Sequence, residues 1–235
     1  MPGSILENIH DPPIPAPQTH RDKAPTLQPR HDILQPKDGS SPVPVTLHPV
    51  TQGAASLPPG LVKFLHKEFS AEIERGCTYP MEEPMSLERF AEYWFGTFAV
   101  VALTGSSDAK EIRRDEERNW EEECLGTFYI KPNYPGRCSH VCNAGFLTCT
   151  AARGKGVGMV MGKTYLEYAP KLGYKYSVFN LVFANNPASI RIWDKLGFTV
   201  LGRVPGAARL ANSDELVDAL IYGKKLVEDG DGDSK

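Results

Sequence analysis

Between an apolar run, Asn143-Ala144-Gly145-Phe146-Leu147-Thr148, and a helical stretch opening Met159-Val160-Met161-Gly162, the chain carries Arg153-Gly154-Lys155-Gly156-Val157-Gly158. A glycine-rich turn from strand to helix leaves the first N–H groups of the helix without intrahelical partners, pointing where an anion can sit. Glycine suits such a turn because a Cβ would block the close approach of a phosphate. Arg153 adds a fixed charge and paired donors for phosphate oxygens. An ordinary strand–helix connection can carry the same glycines, so the turn alone sets a topology and leaves the ligand open.

Composition narrows the classes of function. The 235 residues suffice for one domain of ordinary size plus a tail. A formal net charge of −3 gives no reason to expect nucleic acid or an anionic membrane as partner. No apolar run approaches the roughly 20 residues needed to span a bilayer, and the N-terminus lacks the apolar core of a secretory signal. Five cysteines, an odd number without a regular framework, fit a reducing compartment. Cys138-Ser139-His140-Val141-Cys142 is the nearest approach to a metal motif, but no second ligand pair follows it. No metal is expected.

Residues 1–56 hold eleven of the twenty prolines and no Phe, Tyr or Trp. The expectation is a disordered Pro-rich tail, because such a segment buries too little apolar area to offset its ordering entropy. An ordered domain is expected over 57–227, followed by a disordered acidic tail over 228–235. Leu61, Leu65, Phe69 and Ile73 recur at every fourth residue and predict a helix ended by Gly76. Ser86 is a suitable N-cap for a second helix carrying Leu87, Phe90 and Trp94. Phe98–Leu103, Leu125–Ile130, Asn143–Cys149 and Tyr176–Phe183 read as strands, with a polar excursion over residues 104–123. The helix after Gly156 is predicted to stop near Tyr168, ahead of Pro170. A helix over Ala188–Leu196 and strands over Phe198–Arg203 and Val217–Tyr222 close the domain.

About thirty residues after the glycine turn comes Asn185-Asn186-Pro187-Ala188-Ser189-Ile190-Arg191-Ile192-Trp193-Asp194-Lys195-Leu196-Gly197-Phe198. Together the two segments resemble the acyl-CoA loop and the Asn-x-x-(Ala/Ser)…Leu-Gly-Phe tail of the GNAT N-acetyltransferases. Further stretches are similar to the fungal L-azetidine-2-carboxylate (proline-analogue) N-acetyltransferases within that superfamily. They are Leu125–Tyr134, Cys138–Thr148, Gly173–Ser177 and Phe179–Phe183, and the likeness runs from about Leu61 to Leu226. The resemblance implies a mixed α/β fold, with a mostly antiparallel sheet, a central splayed parallel strand pair and flanking helices. It implies acetyl-CoA as co-substrate, with backbone contacts from Phe146 and Thr148 to the pantetheine arm. The pyrophosphate would sit at Arg153, Gly154, Gly156, Val157 and Gly158, and Asn186 would touch the arm beyond the second strand.

Asn143 and Asn180 fall on the two strands that the resemblance splays apart. Asparagine is depleted from strands and unfavourable to bury unpaired. An amide cannot serve as a general base near neutral pH, so orienting a substrate is the expected task of both residues. The implied acceptor is a small cyclic imino acid, whose carboxylate seeks donors and whose ring nitrogen seeks an acceptor. Another small amine, or acyl-CoA binding without turnover, are the alternatives. Many relatives carry a tyrosine seven residues after the motif asparagine to protonate the leaving thiolate; here that position is Trp193. His140 is the histidine nearest the expected site, and no side chain stands out as a base. The resemblance allows a homodimer. The expected compartment is the cytoplasm, with the mitochondrion as alternative.

Overall fold

A computed structural model describes residues 27–35, 41–106, 112–211 and 213–227. Eight strands form one sheet in the order β1-β2-β3-β4-β5-β6-β8-β7. In chain order they are β1 (Arg30–Leu34), β2 (Val43–Val50), β3 (Phe98–Thr104), β4 (Cys124–Pro132), β5 (Val141–Thr148), β6 (Tyr176–Phe183), β7 (Thr199–Arg209) and β8 (Leu216–Lys225). Every neighbouring pair is antiparallel except β5 and β6, which run parallel. The parallel step follows from the helical crossover between them, as parallel neighbours require. The helices are α1 (Pro59–Arg75), α2 (Leu87–Phe95), the short α3 (Trp120–Glu123), α4 (Val157–Lys171) and α5 (Pro187–Lys195).

The alternation of side chains along the strands fixes what each face of the sheet meets. On one face Thr127 of β4 accepts a hydrogen bond from the Trp94 indole of α2 at 3.0 Å. Phe69 of α1 packs edge-on against that indole. On the other face Phe128 of β4, Phe146 of β5 and Phe179 of β6 surround Tyr165 of α4. Gly76 closes α1 in the left-handed region at φ 62°, and the Ser86 side chain caps α2 by accepting from Arg89 N. Both were expected from the sequence.

Three expectations need correction. The first lies within residues 1–56: β1 and β2 belong to the sheet, and Val45, Leu47 and Val50 are core residues. Composition misled because a strand proline removes one donor and keeps its carbonyl. Pro44 still accepts from Gly105 N at 2.7 Å. The Tyr168 hydroxyl of α4 further fastens this region by donating to Gln28 O at 2.7 Å. Residues 1–26 and the expected tail at 228–235 lie outside the described residues.

Second, α4 continues to Lys171 and takes Pro170 into its last turn. A proline there withdraws one donor near a helix end, where the ladder is already closing. Third, the closing strands are longer than expected, and β7 runs to Arg209 with register slips against β8. Among the described residues no helix is long and apolar enough to cross a membrane.

Candidate functional site

The parallel pair is closed at one end only. Val141 pairs with Tyr176 and Cys142 with Ser177, and no further register joins the strands, although they continue to Thr148 and Phe183. Tyr165 fastens the closed end from α4: its hydroxyl donates to Ser177 Oγ at 2.5 Å and meets Cys142 Sγ at 3.0 Å. Burial pushes the Cys142 thiol up to about 12 and raises the Tyr165 phenol as well. Both stay neutral at physiological pH, so this clasp is structural. Past it, backbone in the middle of the sheet is left without a strand partner, which is where an extended ligand arm can bond.

On the α4 side, the glycine turn stands at one end of this opening. Gly154 and Gly156 have φ values of 76° and 89°, and an added Cβ at either would meet nothing within 4 Å. Gly156 is the N-cap of α4, and its carbonyl accepts from Met159 N and Val160 N. Within the described residues no hydrogen bond uses the N–H groups of Gly154, Lys155, Gly156, Val157 or Gly158. These open donors, at the positive end of a 15-residue helix, fit a pyrophosphate. The Val157 side chain is buried, leaving its backbone to face the turn. Gly158 has a different reason: a Cβ there would lie 2.9 Å from Ile192 Cδ1, so this glycine lets α5 approach α4.

Arg153 is already engaged. Its Nη2 meets Glu72 Oε2 at 2.5 Å, and Arg75 reaches the same oxygen at 2.7 Å. The Thr78 hydroxyl donates to the other carboxylate oxygen at 2.6 Å. Glu72 is buried, so the trio gives its charge the partners it needs. The two strand residues expected to offer backbone contacts have engaged carbonyls too. Phe146 O accepts from the Tyr79 hydroxyl at 3.0 Å, and Thr148 O from Arg153 Nε at 3.5 Å. Asn186 caps α5, its Oδ1 accepting from Ser189 N at 3.1 Å.

Trp193, in the place of the relatives' tyrosine, is buried among Phe146, Phe179 and Phe198. Its indole N–H donates to Ser189 Oγ at 2.8 Å. It is a core residue with a satisfied donor. Cys138 is exposed and Cys142 buried, so the Cys-Ser-His-Val-Cys run does not converge. Among the described residues no group of three or more His, Cys, Asp or Glu is positioned to hold a metal ion. His140 lies just before β5, where its carbonyl accepts from Lys175 N at 2.9 Å.

The sheet face toward α2 carries a row of polar side chains beside the opening. Tyr129 and Lys131 of β4 stand in register with Gly145 and Asn143 of β5, and alternation turns all four to this face. Asn133 N donates to Val141 O at 2.8 Å and continues the row by one more step of two. Across the opening, Asn180 of β6 turns to the same face and bonds Asn133 through a pair of amide contacts at 2.6 and 3.3 Å. Asn180 sits where β6 slips against β8 between Phe179 and Val182, an irregularity that re-aims side chains. From α2, the Tyr93 hydroxyl meets that of Tyr129 at 3.1 Å.

Asn143 and Asn180, the asparagines singled out on the two strands, thus share one face. Tyr93, Tyr129, Lys131 and Asn133 were missed. An asparagine three residues past the apolar run Leu125–Ile130 was the available signal for Asn133.

Residues 73–198 match the family model described as the acetyltransferase (GNAT) family. The N-acetyltransferase aca1 of Schizosaccharomyces pombe is 44% identical over 153 residues, which cover 64% of this chain and 73% of that protein. Protein SPT10 of Saccharomyces cerevisiae is 35% identical over 85% of this chain, which spans only 36% of that longer protein. The structure of yncA from Salmonella typhimurium, solved with its cofactor acetyl-CoA, superposes with a TM-score of 0.59. It is 15% identical and covers 81% of this chain and 99% of its own, a likeness of fold. The matched segment includes the glycine turn, the opened strand pair and both asparagines, and the chain belongs to the acetyltransferase (GNAT) family.

Proposed function

We propose that the protein moves an acetyl group from acetyl-CoA to the nitrogen of a small cyclic imino acid, by direct attack in a ternary complex. Azetidine-2-carboxylate, a pyrroline-carboxylate in equilibrium with its semialdehyde, and hydroxyproline define the class. The family sets the coarser reaction, acetyl transfer to an amine. The finer reading is carried by the amides of Asn143 and Asn180 on the face beside the opened strand pair. Small neutral amides suit a compact ligand that carries both a carboxylate and a ring nitrogen.

When bound, acetyl-CoA supplies an activated thioester acetyl. The open N–H groups of Gly154 to Gly158 would hold its pyrophosphate, with Arg153 released from Glu72 or shared with it. The backbone of Phe146 and Thr148 would contact the arm, each carbonyl having a second lone pair besides the one that accepts from Tyr79 or from Arg153 Nε. Asn186 keeps its Oδ1 in the helix cap and offers its NH₂. Asn143 and Asn180 orient the imino acid so that its nitrogen lone pair faces the opening. Trp193 donates no proton, and a thiol of ordinary pKa near ~8.5 is an acceptable leaving group without one. A reducing compartment such as the cytoplasm suits the five unpaired cysteines.

Release of free thiol from acetyl-CoA tests the proposal, first with azetidine-2-carboxylate and then with hydroxyproline, pyrroline-carboxylate and a panel of acyclic amines. Turnover of the ring imino acids above the panel is the expected result. Turnover confined to acyclic amines would replace the acceptor and keep the reaction. Coenzyme binding without any thiol release would reduce the protein to an acyl-CoA-binding module.

A further inference from the structure

We propose that Arg75, at the end of α1, is a second guanidinium for the phosphates of the coenzyme, set beside Arg153 by the carboxylate they share on Glu72. This rests on the glycine turn as the phosphate site and is independent of which amine accepts the acetyl group.

The case begins with one face of α1. Glu68, Glu72 and Arg75 follow one another at helical i,i+4 and i,i+3 spacing and so share a face. That face meets the segment leading from β5 into the glycine turn. Glu68 Oε2 accepts from Thr150 N at 2.6 Å and from Thr150 Oγ1 at 2.9 Å. One helical turn further, Glu72 Oε2 takes Arg153 Nη2 at 2.5 Å. The segment from Thr150 to Arg153 therefore runs along α1, and Arg75 stands at the end of that face, where the segment passes into Gly154.

The backbone at Arg75 is fixed. Gly76 N donates to Ile73 O at 2.8 Å, Ala211 N donates to Gly76 O at 3.1 Å, and the Cys77 thiol donates to Arg75 O at 3.1 Å. The guanidinium is placed by Glu72, with Nη1 2.7 Å from Oε2, the oxygen that Arg153 also uses. Two cations thus stand on one oxygen of one carboxylate. The other oxygen accepts from the Thr78 hydroxyl at 2.6 Å.

Charge decides what the arrangement is for. A buried carboxylate is paired by one guanidinium and a hydroxyl, and the second guanidinium leaves the trio with a net positive charge. Like charges held this close repel, and an arriving anion relieves the repulsion. The side chains of Arg75 and Arg153 are 38% and 36% exposed, against 8% for Glu72. The carboxylate is therefore inside, and both cations keep N–H donors on the accessible side. Guanidinium groups match phosphate oxygens in pairs of parallel bonds and have no proton to lose near neutral pH. The open backbone of Gly154 to Gly158 gives the phosphates neutral donors, and the arginine pair gives them charge.

Calorimetric titration tests this with acetyl-CoA, its 3′-dephospho form and acetyl-pantetheine, which carries the arm and no phosphate. Arg75→Gln leaves Glu72 paired with Arg153 and Thr78, and thermal unfolding without ligand reports its folding separately. It should raise the Kd of acetyl-CoA about tenfold, the usual worth of a charge-assisted hydrogen bond, and leave that of acetyl-pantetheine within about twofold. Arg75→Lys should restore part of the loss. A loss that persists with the 3′-dephospho form puts Arg75 on the pyrophosphate, and a loss confined to the full coenzyme puts it on the 3′-phosphate; either upholds the proposal. An unchanged Kd for acetyl-CoA, or equal losses for acetyl-CoA and acetyl-pantetheine, overturns it. An indirect effect, in which Glu72 grips Arg153 harder once Arg75 is gone, is separated by repeating the change beside Glu72→Gln: a direct contact still costs several-fold there, and no further cost overturns the contact. If the wild type binds acetyl-CoA no tighter than acetyl-pantetheine, the glycine turn itself is not the phosphate site. Discrimination that is present in the wild type and kept in Arg75→Gln removes Arg75 alone.

Discussion

Asn133 and Asn180 hold each other by their side-chain amides across β5, Asn180 Nδ2 donating to Asn133 Oδ1 at 2.6 Å and Asn133 Nδ2 returning the bond at 3.3 Å. Asn133 is buried, with 5% of its surface exposed, whereas Asn180 is half-buried. One amide is therefore anchored just past the end of β4, and the other is presented from β6. Rigid presentation of a weak hydrogen-bonding group is what a positioning role needs.

The pair makes a prediction that one residue alone would not. Asn180→Ala leaves the buried Asn133 amide without its partner, so it should lower stability by about 1–3 kcal/mol in addition to its effect on turnover. Asn133→Ala should lower stability by a similar amount, leaving Asn180 present but loose. If both act through orientation, Asn133→Ala raises KM for the acceptor while the Kd of acetyl-CoA stays within about twofold. Steady-state kinetics with urea denaturation of the same variants checks this. Unchanged acceptor KM in Asn133→Ala would make the pair purely structural.

The elements that frame this candidate site were legible in the sequence, for a physical reason. The glycine turn, β5 and β6 are local features: periodicity and glycine placement act within a few residues, and Asn143 and Asn180 stand out because strands disfavour asparagine. Lys131 and Asn133 acquire meaning only through register with β5 and contact with β6, which residue spacing does not encode. Arg153 was legible as a cation but not as a partner of Glu72, 81 positions earlier. β1 and β2 were missed because proline content outweighed the alternation of Val43, Val45 and Leu47, and a sheet tolerates prolines whose carbonyls still accept.

Gly156 should separate folding from cofactor binding. Its φ of 89° disfavours any side chain, yet an added Cβ meets nothing within 4 Å. Gly156→Ala should therefore fold with a loss of about 1–2 kcal/mol from the left-handed backbone. The new methyl would stand where the phosphates approach, raising the Kd of acetyl-CoA by about tenfold or more, equivalent to roughly 1.4 kcal/mol. Calorimetric titration with acetyl-CoA measures the second effect and thermal unfolding without coenzyme the first. Wild-type affinity in the folded variant would remove this turn from the pyrophosphate site.

His48 on β2 predicts a pH dependence of stability. Burial, and then the charge of Arg118, lowers its pKa from 6.5 to about 4, and its Nδ1 has no hydrogen-bond partner among the described residues. Above pH 6.5 the imidazole is neutral in both folded and unfolded chains. As pH falls from 6.5 toward 4, the unfolded chain takes up a proton that the native state refuses, so stability declines. Below the folded value both states are protonated and the decline levels off. This one group accounts for about 2 kcal/mol between pH 7 and pH 5. His48→Gln should remove that part of the acid limb, read as a smaller difference between urea midpoints at the two pH values. An undiminished difference would assign the acid sensitivity to other groups.

Trp193 tests whether the reaction proceeds without a side-chain acid at the position where many relatives carry tyrosine. The indole is buried in an aromatic cluster, 4.4 Å from Phe179 and 5.0 Å from Phe146 between ring centroids, and its N–H is occupied by Ser189. Trp193→Phe keeps most of the packing and deletes that hydrogen bond, so stability should fall by about 1 kcal/mol. Since no proton passes through the indole, kcat should hold within about twofold and its pH profile should keep its shape. Trp193→Ala would instead open a cavity in the wall shared by β5, β6 and α5, lowering stability by about 3–5 kcal/mol. A tenfold loss of kcat in a stably folded Trp193→Phe variant would mean that the indole N–H acts on the reacting group, and that its bond to Ser189 is broken when substrate binds.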